Sequence, residues 1–252
     1  MTYCVWVNKC AIYLVHQLKN IEEGLPKRRA FSNNQQLRLR KIRPRRRKLE
    51  SDQPMPNVYD FDKTIVYPDG GSKFISSCFR RHFPKMIGHA PHILSSATRF
   101  VANAKRGKPV RGDYYHFLPD LPDWREEVRL FWQAKADALL KPWYLAQKKP
   151  DDIIISCSPD FLLQPLCEQL GVQLIATRID TETGHLNGLS CYGEEKVRRL
   201  REELGEVEID DFYSDALVDA PLARLAKRAF LVKGDRREAW PVKNGVLVGA
   251  TM

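Results

Sequence analysis

From residue 55 onward, short β-branched or aromatic runs alternate with segments whose apolar residues recur every three or four positions. Val58-Tyr59-Asp60-Phe61 is an apolar run ending among acids and reads as a buried strand. Ile153-Ile154-Ile155 is a β-branched run suited to the middle of a parallel sheet. Ser158, Pro159 and Asp160 read as N-cap, first helical residue and first-turn acid. The helix they open places Leu162, Leu166 and Leu170 on one face, is kinked at Pro165 and ends at Gly171. Val172 to Thr177 is the next strand. Gly193 opens a helix with Val197, Leu200 and Leu204 inward, Gly205 beyond its end, and Glu194/Arg198 and Glu195/Arg199 as ion pairs on its wet side. Ile209 to Tyr213 reads as strand, Ala220 to Ala229 as helix and Phe230 to Val232 as strand. Asn244 to Gly249 is expected to add an edge strand or trail off. Such alternation predicts an α/β fold, a doubly wound and mostly parallel sheet. Its ligands bind beyond the carboxyl ends of the strands.

Composition narrows the class. With 252 residues, 43% hydrophobic and 29% charged, the chain is neither collagen-like, nor wholly disordered, nor dominated by membrane spans. The net charge of +10 is unevenly spread. Residues 1–55 carry 13 Lys or Arg against 4 Asp or Glu, and 8 of the 11 residues from Arg38 to Lys48 are basic. Like-charge repulsion predicts a disordered basic extension over 1–54. Met55 precedes the first strand, so a product starting there keeps every expected element. A run such as 38–48 can bind phosphates by displacing counterions, which keeps nucleic acid as a weak partner candidate, although no base-reading motif accompanies it. Tyr3 to Val15, interrupted by Asn8 and Lys9, is too short to span a membrane. It also lacks the basic start and small-residue cleavage site of a secretory leader. Six scattered cysteines without a CxxC pair predict no disulfide framework and a cytoplasmic setting. Residues 65–150 are again basic (15 against 7), whereas 151–252 are acidic (12 against 18).

The candidate chemistry sits at the expected strand ends. Asp60, Asp62, Lys63 and Thr64 follow the first strand, Ser156 the second, and Ser214, Asp215 and Asp219 a later one; Lys196 opens the intervening helix. Four carboxylates at one edge repel each other unless a cation joins them, and oxygen ligands alone suit Mg²⁺. A hydroxyl and a lysine nearby meet the remaining charge of a phosphoryl group. In order and context, Asp60-x-Asp62-x-Thr64, Ser156, Lys196 and Asp215-xxx-Asp219 resemble the four-motif signature of the haloacid dehalogenase (HAD) superfamily, over residues 56 to about 235. Ser156-Cys157-Ser158-Pro159, Gly188 and Gly193-Glu194-Glu195-Lys196 are similar to the phosphoserine-phosphatase-like branch (subfamily IB). That branch carries a helical C1-type cap between the first two motifs. The resemblance thus implies a core of 55–66 plus 151–252 and a helical cap of 67–150. Phe74, Phe79, Phe83, Phe131, Trp132, Leu139 and Leu140 are candidates for the cap's own core.

The resemblance also implies roles. Asp60 is the expected nucleophile and Asp62 the general acid, then base. Thr64, Ser156 and Lys196 are expected around the phosphoryl group. Asp60, Asp215 and the Asp62 backbone carbonyl are the expected Mg²⁺ ligands, with Asp219 in or just behind that shell. The implied activity is a Mg²⁺-dependent phosphomonoester hydrolase acting on a small anionic phosphometabolite, with no obligate protein partner. The alternatives are phosphotransfer, a lipid head-group phosphatase, or a nucleic-acid-binding protein with an inactive core. Two features depart from the family pattern. Lys63 stands where Gly is frequent, and Val66 to Gly71 lack the acid that phosphoserine phosphatases place there, which argues against phosphoserine itself. Simpler readings exist for other residues: His89 and His92 as loop or cap residues, Cys157 as a small core residue, Asp219 as a helix cap, and Arg80, Arg81 and His82 as a solvated helix face or a substrate contact.

Overall fold

The computed structural model describes residues 55–67, 69–106, 108 and 113–249. The expected extension over 1–54, with its basic run at 38–48, lies outside them. Six strands form the main sheet: β1 (Val58–Tyr59), β2 (Ile153–Pro159), β3 (Gln173–Thr177), β4 (Ile209–Ser214), β5 (Ala226–Lys233) and β6 (Arg236–Ala239). Their order is β3-β2-β1-β4-β5-β6. All neighbours pair in parallel except β5 and β6. The expected α/β class and mostly parallel sheet are therefore observed. β1 is central: Val58 pairs with Ile153 and Phe212, Tyr59 with Ile154 and Tyr213. Everything at the carboxyl end of β1 is thus framed by β2 and β4.

Between β1 and β2 the chain inserts α1 (Gly70–Arg81), α2 (Phe83–Met86), α3 (Ala90–Lys105), α4 (Trp124–Leu139) and α5 (Pro142–Gln147). The remaining helices, α6 (Asp160–Leu170), α7 (Glu194–Leu204) and α8 (Ala220–Ala223), connect successive strands. Side chains alternate across the pleat, so Val58 and Tyr59 enter different layers. Val58, Ile153, Ile155, Val197, Leu200 and Phe212 share one cluster. Tyr59, Ile154, Leu162 and Tyr213 join the other, together with Phe74, Phe79, Phe131, Trp132, Leu139 and Leu140 of the insert. The insert is therefore continuous with one face of the sheet. Tyr144 packs edge-on against Tyr59 with centroids 5.0 Å apart, and Trp132 Nε1 donates to the Leu162 carbonyl at 2.6 Å. Each such fully buried aromatic or aliphatic side chain stabilises the fold by about 1.5–3 kcal/mol. A second tie lies at Gly184, where φ is +71° and a Cβ would stand 2.1 Å from the Tyr115 carbonyl. Only glycine lets this loop of the core lie against the insert there.

Several local expectations are corrected. β2 runs on to Pro159, with a register shift between Ser156 and Pro159, so Ser158 is a strand residue and not an N-cap. The helix at Ala220 stops at Ala223, because residues 226–231 pair with β4 instead. Arg199 is not on a wet face. It is buried, its Nη1 and Nη2 donating to the Ala176 and Leu189 carbonyls at 2.6 and 2.5 Å while Nε meets Glu195 at 3.0 Å. Arg198 pairs with Glu195 and Glu202 and not with Glu194. Val242–Lys243 (β7) and Val246–Leu247 (β8) form a separate hairpin, not an edge of the main sheet. The Gly171 and Gly205 helix ends stand as expected.

Candidate active site

Asp60 continues β1, its N–H donating to the Tyr213 carbonyl at 2.8 Å. The chain then curls: the N–H groups of Ile65 and Val66 both return to the Phe61 carbonyl, and Lys63 takes a left-handed φ of 60°. That turn explains why family members favour Gly at this position. It also brings Thr64 back under Asp60. Thr64 Oγ1 donates to Asp60 Oδ2 at 3.1 Å and accepts the Asp215 N–H at 2.9 Å. A hydroxyl has one proton to give, so accepting from Asp215 directs that proton to Asp60.

Lys196, in the first turn of α7, places Nζ 2.7 Å from Asp60 Oδ1 and 2.8 Å from Asp219 Oδ2. Asp60 is 8% exposed and Lys196 2%. Burial opposes the ammonium, but Asp219 and Asp60 together outweigh it and hold the pKa of Lys196 above its ordinary value. Asp219 also accepts from Ser214 Oγ at 2.7 Å, while its Oδ1 is buried without a hydrogen-bond partner. Asp219 is thus directed inward by its carboxylate and makes no side-chain cap of α8. Burial and the neighbouring Asp60 push Asp215 up to about 7; Lys63 opposes the shift.

Asp62 faces a different set of partners. Its Oδ1 accepts the Gly70 N–H at 2.7 Å and its Oδ2 the Ser158 hydroxyl at 2.5 Å. Gly70 opens α1, whose N-cap Asp69 accepts the Ser72 N–H at 2.7 Å. The insert's first helix is therefore fastened directly to Asp62. Burial, then the nearby Asp69, raises the Asp62 carboxyl well above its usual range. Ser156 is wholly buried, and its Oγ accepts the Ser158 N–H at 3.0 Å. The irregularity in β2 thus places Ser156 and Ser158 beside Asp60-x-Asp62. The structure brings Asp60, Thr64, Lys196, Asp215 and Asp219 into one linked array, with Asp62 joined to Ser156 through Ser158. Arg81 and His82 instead meet Glu127 of the insert, at 2.8 and 2.9 Å. His89 and His92 lie at the start of α3 with His116, whose Nε2 is 2.8 Å from His89 Nδ1.

Sequence reasoning missed Lys141. It is buried, and its Nζ donates to the carbonyls of Lys63 (2.5 Å) and Gly234 (2.6 Å) and lies 5.0 Å from the Tyr67 ring centroid. Burial lowers its pKa. It ties the Asp62-Lys63-Thr64 turn to the β5–β6 hairpin. The available signal was a single cation set between Leu139-Leu140 and Pro142-Trp143-Tyr144.

Among the described residues, no three His, Cys, Asp or Glu side chains form a group that could hold a metal by themselves. The fit to Mg²⁺ rests on a smaller set. Asp60 and Asp215 oppose each other electrostatically, Asp219 carries an unpartnered buried oxygen, and every donor is oxygen. Carboxylate oxygens with no nitrogen or sulfur among them are the donors Mg²⁺ prefers.

Residues 58–224 match the family model described as haloacid dehalogenase-like hydrolase. The chain belongs to that family and is a hydrolase. Protein CicA of Caulobacter vibrioides is 28% identical over 189 residues, covering 69% of this chain and 84% of CicA. A histidinol-phosphatase of Neisseria meningitidis serogroup C is 29% identical over 114 residues, 37% of this chain and 51% of that protein. A protein with unknown function from Bordetella pertussis Tohama I shares the fold, with a TM-score of 0.55 at 19% identity, over 70% of this chain and 89% of that one.

Proposed function

We propose that the protein is a Mg²⁺-dependent phosphomonoester phosphatase that works through an aspartyl-phosphate on Asp60. The observation that carries this reading is the pair of carboxyl groups two residues apart, each held by different partners. Asp60 is oriented by Thr64 and Lys196, and Asp62 by Gly70 and Ser158. One is positioned to attack and the other to move a proton. The family and the histidinol-phosphatase relative support the same reaction class.

In the first step Asp60 attacks phosphorus. An oxygen–phosphorus bond forms as the ester P–O bond breaks, and Asp62 gives its proton to the departing alkoxide. In the second step Asp62 takes a proton from water, which attacks phosphorus and releases inorganic phosphate and the Asp60 carboxylate. Lys196 holds the Asp60 carboxylate in place and offsets charge on the phosphoryl oxygens. Ser156 accepts from Ser158, so its own hydroxyl proton is available to a phosphoryl oxygen. When bound by Asp60, Asp215 and the Asp62 carbonyl, Mg²⁺ supplies positive charge to the transferring group. The basic insert suits a small anionic phosphometabolite.

The test is hydrolysis of p-nitrophenyl phosphate by the full chain, with Mg²⁺ and with chelator. Removing the cation is expected to cost at least about 100-fold in kcat/KM, restored by added Mg²⁺. Metal-independent turnover contradicts the proposal.

A further inference from the structure

None of the hydrogen bonds that hold Asp60, Asp62 and Lys196 in place comes from residues 83–106 of the insert. Residues 70–112 contain nine Lys or Arg and no Asp or Glu. From Phe83 to Lys105 the chain runs through consecutive helical turns, α2 passing into α3 by way of a 3₁₀ turn at Ile87–His89. Ile87 (φ −62°, ψ −35°) and Ala90 (φ −54°, ψ −44°) are both right-handed helical, so the turns are continuous. One side of this run, with Met86, Ile93, Ala97 and Phe100, is buried. On the other side Pro84, Ile87, Pro91, Leu94 and Thr98 are exposed. Their spacing of three, four, three and four residues places them in one stripe. Ile87 is 42% exposed and Leu94 44%, two of the five large exposed hydrophobics among the described residues. Lys85, Arg99, Lys105 and Arg106 are exposed alongside. Lys85 also reaches the Asp120 carbonyl at 3.1 Å and Arg99 the Ser96 hydroxyl at 3.0 Å.

We propose that this stripe docks on a bilayer surface rich in anionic phospholipid. Ile87 and Leu94 enter the boundary between headgroups and acyl chains, and Arg99, Lys105 and Arg106 face the lipid phosphates. The aliphatic side chains decide between partners. A nucleic acid gains from basic residues and from aromatic rings that stack on bases, and gains nothing from Ile or Leu at the centre of the face. α2 and α3 carry no acid themselves, and Asp120, which lies beside the start of α3, is paired with His89 at 2.9 Å, so the face offers net positive charge to an anionic partner. No helix among the described residues is long and apolar enough to cross a membrane, so this attachment is peripheral.

The full chain is floated with phosphatidylcholine vesicles, with and without phosphatidylglycerol. Residues 1–54 carry a basic run of their own, so the informative variant is Ile87→Ser with Leu94→Ser, which leaves every charge in place. Both positions are exposed, and an unchanged thermal unfolding curve verifies the fold. The wild type is expected to bind only the anionic vesicles, and the double variant to bind at least about ten-fold more weakly. Equal binding by the two proteins assigns attachment to charge alone and overturns the proposal. So does a wild type that ignores anionic vesicles. A variant that unfolds is replaced by Leu94→Ala alone, for which a several-fold loss is expected and no loss overturns the proposal.

Discussion

Asp60→Asn is expected to give a folded protein that no longer turns over p-nitrophenyl phosphate, with kcat reduced by at least about three orders of magnitude. The amide keeps the size and shape of the carboxylate. Lys196 retains its 2.8 Å ion pair with Asp219, and Thr64 still bridges to the Asp215 N–H. The array therefore keeps its supports while losing the nucleophile. Removing the Asp60 charge relieves its repulsion of Asp215 and Asp219 but also ends its 2.7 Å ion pair with Lys196, so thermal stability in the absence of metal is expected to stay close to that of the wild type. Activity is thus expected to fall while stability holds, which separates loss of chemistry from loss of fold. Paired measurements of kcat and of the unfolding midpoint check both halves. A variant that keeps more than a tenth of wild-type kcat rules out Asp60 as the attacking group.

Lys141→Met is expected to damage both stability and rate. Methionine replaces the aliphatic stem but leaves the Lys63 and Gly234 carbonyls without their donor. Hydrogen bonds to a charged group contribute about 1.5–3 kcal/mol each, so the loss is expected to be about 2–4 kcal/mol by urea unfolding. The Lys63 carbonyl lies in the turn between Asp62 and Thr64, so loosening it displaces the proton-transfer group relative to the nucleophile. Misplacement of that kind is expected to lower kcat about ten-fold or more. KM is expected to change little, because Ser156 and Lys196 are held from β2 and α7. A destabilised variant with unchanged kcat would show that the hydrogen bonds from Ile65 and Val66 to Phe61 suffice to shape the turn.

Much of this site is legible in the sequence, because its residues sit at strand ends and parallel strands announce themselves as apolar runs. Asp60, Ser156 and Asp215 each follow such a run. What was misread depends on partners distant in the chain. Ala-Pro-Leu-Ala-Arg-Leu-Ala from 220 favours helix locally, yet the segment from 226 is drawn into strand by pairing with Ile209 to Ser214. Arg199 occupies a plausible i,i+4 position, and only the carbonyls of Ala176 and Leu189 reveal that it is an internal clamp. Ser158, Pro159 and Asp160 look like a helix start because the bulge that extends β2 has no local signature. Lys141 stands out locally only as a lone cation in an apolar stretch, and its role stays hidden because its acceptors are 78 and 93 residues away. The insert's apolar residues were found, but periodicity could not show that they complete one face of the sheet.

The measurement that tests the central claim most directly is trapping of the covalent intermediate. The enzyme is mixed with Mg²⁺ and a phosphomonoester it hydrolyses, quenched in acid within a turnover, and digested for peptide mass analysis. The result expected is one added phosphoryl group on the peptide containing Asp60, absent from Asp60→Asn and released by hydroxylamine as acyl phosphates are. Active enzyme whose label falls on another residue, or whose product oxygen comes from water by direct attack with no labelled peptide at any quench time, contradicts it.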